Sequence, residues 1–152
     1  MNMRIGISTL ALVFVAGALS GCAGKDEVAP VDVEKQAFED LRTEIREAID
    51  DAARETETIR LVGVLEEDLA ALRSSVTARK ARAKELNANY DATRAEFEAF
   101  LAMIEAEVRD NRQRVSKTHQ ALLTTVTAEE QSAIAKTHTK AMNTAVKTIQ
   151  SI

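Results

Sequence analysis

The chain has no tryptophan, one cysteine, one proline and five glycines in 152 residues, and aromatic residues make up only 3%. Four of the glycines (Gly6, Gly17, Gly21, Gly24) and Pro30 fall within the first thirty residues, so Gly63 is the single glycine that follows. Such scarcity of turn formers excludes a β-sandwich or barrel, which needs a turn about every 8–12 residues. It also excludes a glycine-rich phosphate loop, and one cysteine excludes a disulfide scaffold. What remains is Ala, Glu, Arg, Leu, Thr and Lys, mostly good helix formers. Charged residues are 29% and the net charge is −4, a balance that argues against nucleic acid as a partner.

The N-terminal region is different in kind. Arg4 opens a short basic start, Ile5 to Leu19 is almost wholly apolar, and small residues follow. That order reads as an export signal, and the run is shorter than the about 20 residues of a membrane span. Leu19-Ser20-Gly21-Cys22 resembles the lipobox of bacterial lipoproteins. The resemblance implies cleavage between Gly21 and Cys22, a diacylglycerol on the Cys22 thiol and an acyl group on its amine. The lone cysteine thus stands where a lipobox requires it. Buried acyl chains contribute about 0.8 kcal/mol per CH₂, and two or more chains anchor stably. By analogy with enterobacterial lipoproteins, Ala23 after the cysteine implies sorting to the outer membrane, facing the periplasm, or to the outer face of the cell membrane where there is no outer membrane. The expected organisation is a signal peptide over 1–21, a lipidated tether over 22–31 and a helical domain over 32–152.

In that domain apolar residues recur at intervals of three and four, including Phe38, Leu41, Ile45, Ala52, Ile59, Val62, Leu65, Leu69, Leu72 and Val76, the signature of one helix face. A heptad frame places Val62, Leu69, Val76, Ala83, Tyr90, Phe97 and Ile104 at a, while the d positions are only about half apolar. The pattern gives an all-α, elongated antiparallel bundle of three or four helices with coiled-coil character. Three places compete for the turns: Gly63, Asn87–Asp91 and Thr124–Thr127. Asn and Asp favour turns and caps, and Thr127 with Glu130 has the spacing of a capping box. The preferred spans are 32–86, 92–123 and 128–150. Segment 69–86 carries a net +4, 87–110 a net −4 and 34–68 a net −7, so antiparallel pairing would lay basic stretches on acidic ones. The first helix would be about 80 Å long at 1.5 Å per residue, long enough for its lipid-proximal half to stand away or pair with another copy.

No group of residues converges on chemistry. His119 and His138 lie on different expected helices, with no thiol or third imidazole to complete a metal set. Glu66-Glu67-Asp68 and Asp50-Asp51 are sequence neighbours, which point to different helix faces, and they read as solvated. Ser74-Ser75 lacks a nearby histidine and a nucleophile-elbow motif. Arg79-Lys80-x-Arg82-x-Lys84 lacks interleaved aromatics and reads as a salt-bridging face. Thr137, Thr139, Thr144 and Thr148 share the last helix with Ile134, Ala141, Ala145 and Ile149 at helical spacing. No catalytic residue, metal ligand, cofactor or small-molecule substrate is expected.

Val126-Thr127-Ala128-Glu129-Glu130-Gln131 is similar to the Leu-Thr-x-x-Gln motif of small helical periplasmic stress chaperones of the Spy and CpxP kind, with Val first and the Gln one place late. Leu86–Arg94, with the threonine-rich break before Glu129, resembles small uncharacterised bacterial lipoproteins. The sequence therefore leads to a non-enzymatic envelope lipoprotein. Its membrane partner would be reached through lipid on Cys22, and a protein partner or a second copy through its helices. The alternative is a chaperone-like binder of unfolded or toxic envelope clients.

Overall fold

The computed structural model describes residues 29–152. They form four helices: α1 (Pro30–Ala48), α2 (Ala52–Ala88), α3 (Arg94–Thr125) and α4 (Ala128–Gln150). Gly21, Cys22 and the rest of the stretch that resembles a lipobox lie outside the described residues. The expected all-α antiparallel bundle is what the chain forms, with four helices.

The expected first helix, 32–86, is in fact two. The chain leaves helical geometry at Ile49, and Asp51 restarts it as the N-cap of α2, its side chain accepting from the Arg54 N–H at 2.8 Å. The Asp50-Asp51 pair, read from sequence as a solvated helix face, is therefore a helix boundary. Asp is a strong N-cap because its carboxylate satisfies an orphan N–H of the first turn. Apolar periodicity is nearly continuous across this point, with Ile49 buried, which is why it hid the break. The corner folds α1 back onto the bundle rather than leaving it to stand away. Pro30 occupies the first turn of α1, where a missing N–H costs nothing, so the segment preceding the helix ends at Ala29.

Gly63 lies inside α2 and makes no turn. The turn near Asn89 does form. The Ala92 N–H donates to the Asn89 carbonyl at 3.1 Å, the Asn89 side chain accepts from the Asp91 N–H at 3.1 Å, and Thr93 with Glu96 builds a capping box for α3. Thr127 and Glu130 build the same device for α4, and this helix begins and ends where the sequence places it.

Cross-helix contacts fix an up-down-up-down order. Arg42 pairs with Glu66 and Glu34 with Arg73 between α1 and α2. Ser75 Oγ donates to Glu107 and Thr118 Oγ1 to Asp68, each at 2.8 Å, between α2 and α3. Asp40 meets Lys140 at 2.7 Å between α1 and α4, and Arg54 meets Glu130 at 2.6 Å between α2 and α4. Phe38, Leu41, Ile45 and Ile49 of α1 close on Leu61, Val62, Leu65 and Leu69 of α2 and on Ile134, Ala141 and Ala145 of α4, with Leu122 the single fully buried apolar residue of α3. Ala141 and Ala145 let α4 approach α1 closely, and these two helices form the tightest pair.

Two of the helices outrun the core. At 1.5 Å per residue α2, with 37 residues, is about 55 Å long, against about 28 Å for α1 with 19. The ends of α1 and α4 reach the level of Thr77 and Ala78. Beyond that level α2 and α3 continue alone for about 15 Å as a two-helix arm closed by the Asn89 turn. Leu86 is the one fully buried apolar residue of that arm.

Candidate interaction surface

The arm places basic α2 beside acidic α3, as the charge pattern suggested, yet among the described residues no ion pair joins the two there. Arg82 pairs with Glu85 and Arg94 with Glu98, each within its own helix. The inter-helix ion pairs belong to the bundle instead. Arg79, Lys80 and Lys84 therefore leave the arm with a charged α2 face, and Glu98 and Glu105 leave it with an acidic flank on α3.

On α3 the arm also exposes apolar side chains. Leu101 is 57% exposed, Val108 46% and Phe97 36%, with Ile104 half-buried between them. Spacings of four, three and four put these residues on one helix face. The heptad frame holds Phe97 and Ile104 at a and leaves Leu101 and Val108 at the flanking e position. That is the wider stripe of a helix packed against more than one neighbour. The second neighbour is missing: α4 ends at the level of Thr77 and Ala78, short of Phe97 and Leu101, and it diverges from α3 beside Val108. Tyr90, also an a position of the frame, sits fully exposed in the turn, so the frame is not one continuous seam.

Toward the bundle the stripe runs into an apolar groove of about 420 Å³ where α4 diverges from α3. Leu72 of α2, Val108 and Val115 of α3 and Met142 of α4 line it, with Arg112 and His119 at its walls. Arg109 and Arg112 flank the adjoining depression, together with Glu105. The surface thus has an apolar knob with acidic flanks on the arm and an apolar hollow with basic flanks at its base.

His119 and His138, which the sequence kept apart, are stacked across the α3–α4 junction with ring centroids 5.0 Å apart and planes 19° from parallel. Burial first, and the neighbouring His119 second, hold the His138 imidazole below its ordinary value. Its Nε2 is buried without a hydrogen-bond partner. Imidazole lone pairs lie in the ring planes, so near-parallel stacked rings do not aim at a common ion. Among the described residues no cluster of three ligands fit for a metal occurs.

The remaining sequence candidates have structural employment. Glu66 pairs with Arg42, and Asp68 accepts from Thr118, so two of the three acids in Glu66-Glu67-Asp68 face other helices and only Glu67 is solvated. Ser74 Oγ donates to the Ala70 carbonyl, while Ser75 joins Glu107 and Asn111. Thr148, buried between α4 and α1, donates to the Thr144 carbonyl at 3.0 Å and to the Pro30 carbonyl at 3.3 Å.

No helix among the described residues is long and apolar enough to cross a membrane. No protein-family model, curated protein or solved structure matches the chain.

Proposed function

We propose that this chain is a lipid-anchored envelope protein, held to the membrane through Cys22, whose helices serve as a non-enzymatic interaction module with coiled-coil character. The observation that carries the reading is the stripe Phe97–Leu101–Ile104–Val108, left open on an arm that projects beyond the core. Exposed apolar surface costs solubility, and contiguous patches on an otherwise polar protein mark interaction sites. The capped, well-formed arm has few buried apolar residues of its own, so its length is better explained by contact with something else than by stability. The lipobox supports placement on the periplasmic side of the outer membrane, or on the outer face of the cell membrane where there is no outer membrane. Capture of partners from membranes tests the module. The native chain retains a defined set of proteins, and Leu101→Glu, at an exposed position that does not support the core, loses it. Equal capture by both chains would remove the arm from the function.

The apolar groove favours a second reading, a binder of unfolded envelope clients. About 420 Å³ of Leu, Val and Met surface suits apolar segments of varied sequence, since methionine adapts its shape readily. In that case the chain slows aggregation of a model client at equal ratio, and no slowing at excess removes the reading.

A further inference from the structure

The stripe and the groove lie on the same face of the same helix, and they complement each other in shape and in charge. The apolar knob, Phe97 and Leu101, is flanked by Glu98, which also pairs with Arg94, and by Glu105 at the edge of the depression that Arg109 and Arg112 line. The hollow formed by Leu72, Val115 and Met142 is flanked by Arg109 and Arg112. We propose that a second copy of this chain occupies this surface. Its arm packs antiparallel on the first, so that each knob enters the other copy's hollow and each acidic flank meets the other's basic flank.

The inference rests on the reading of the helices as an interaction module, and it names the partner. Two-fold symmetry makes both contacts at once, because an isologous interface brings residue i to j and j to i. With the axis passing near residue 106, Phe97 faces Val115 of the second copy, Ile104 faces Val108, and Leu101 lies beside Arg112. Glu98 and Glu105 then fall within a helical turn of Arg112 and Arg109 across the interface. The strip from Phe97 to His119 is about 33 Å long, and two helices across, about 20 Å wide. Its area is on the order of 650 Å² per copy, near the about 800 Å² per partner of ordinary stable interfaces. The α1 N-termini lie at the level of Thr77 and Ala78, close to that of the axis, so the dimer presents both of them near its middle.

Disulfide trapping in the full chain with Cys22→Ala separates the geometries. Leu101→Cys together with Arg112→Cys forms a covalent dimer under mild oxidation, and neither substitution alone does so. Efficient trapping by Leu101→Cys alone would overturn the antiparallel pairing, and no trapping by the double variant would overturn the dimer. Light scattering of the full chain under reducing conditions gives a dimer mass. Glu105→Arg raises the dissociation constant about ten-fold, and adding Arg109→Glu restores it. A monomer at every concentration, or a double reversal no better than the single, contradicts the proposal. Membrane partners captured through Leu101 by a monomeric chain would retain the interaction module and discard the second copy. A dimer formed by a chain that proves unlipidated would retain the second copy and discard the anchor.

Discussion

Glu34 is a carboxylate buried at the start of α1, with Arg73 of α2 as its cationic partner and one oxygen left without a hydrogen bond. A buried charge is tolerated while its partner stays and is costly once the partner goes. Arg73→Ala is expected to destabilise the fold by about 3 kcal/mol, whereas Glu34→Leu with Arg73→Leu should cost far less; urea unfolding of the three chains checks both. Exposed pairs such as Arg60–Glu57 and Arg94–Glu98 should contribute little to stability. His138 adds a pH dependence. Its imidazole is held below its ordinary value by burial and then by His119, so the unfolded chain binds the proton more readily than the folded one. The stability this group contributes is complete above the unfolded value of about 6.5 and is lost as pH falls through the folded value. The carboxylates of Asp40 and Glu130 are held below their ordinary range, Asp40 chiefly by Lys140 and Glu130 chiefly by the Thr127 N–H, so they stay ionised in that window. Melting temperature should therefore fall between pH 7.5 and 5.5 in the native chain and fall less in His138→Gln. Equal slopes would remove the histidine from the effect.

At the scale of elements, Gly63 offers the simplest test. It sits about a third of the way along α2 in helical geometry, and a methyl group there would meet nothing within 4 Å. Glycine costs roughly 0.5–1 kcal/mol relative to alanine inside a helix, so Gly63→Ala should stabilise by about that amount, read as a raised melting temperature. A loss would mean that the glycine serves a contact absent from this structure. Thr127→Ala should cost about 1 kcal/mol, because the capping box of α4 holds both the Glu130 N–H and the Glu130 carboxylate that reaches Arg54. The helices and two of the three turns were legible, since three-and-four periodicity and Thr-x-x-Glu spacing act locally. The Asp51 corner was not, because Ile45, Ile49 and Ala52 continue the apolar period through it and only tertiary packing favours the bend. The meeting of His119 with His138 was equally out of reach, since it depends on how far α4 runs back along α3. The open stripe was half visible: Phe97 and Ile104 stood at a positions, while Leu101 and Val108 fell outside the frame, and only the course of α4 decides whether anything covers them.

As a whole the described residues make a small four-helix core from which a two-helix arm projects. Core burial is concentrated in α1, α2 and α4, while α3 contributes Leu122 with Val115, Ala121 and Leu123 beside it, and polar contacts through Glu107, Asn111 and Thr118. Such a design localises stability at one end and leaves an accessible apolar face at the other, which suits a module that meets a partner at a membrane surface. An anchor also raises the effective concentration of whatever shares the membrane, so a contact of modest area suffices. Everything proposed of a membrane depends on lipid at Cys22. Intact mass combined with membrane fractionation, native chain against Cys22→Ala, tests it most directly. Lipidation gives a mature chain that starts at Cys22, carries added acyl mass and sediments with membranes, and a Cys22→Ala chain that loses both the acyl mass and that processing. An unmodified native chain, or one whose mass and fractionation the substitution leaves unchanged, would contradict it.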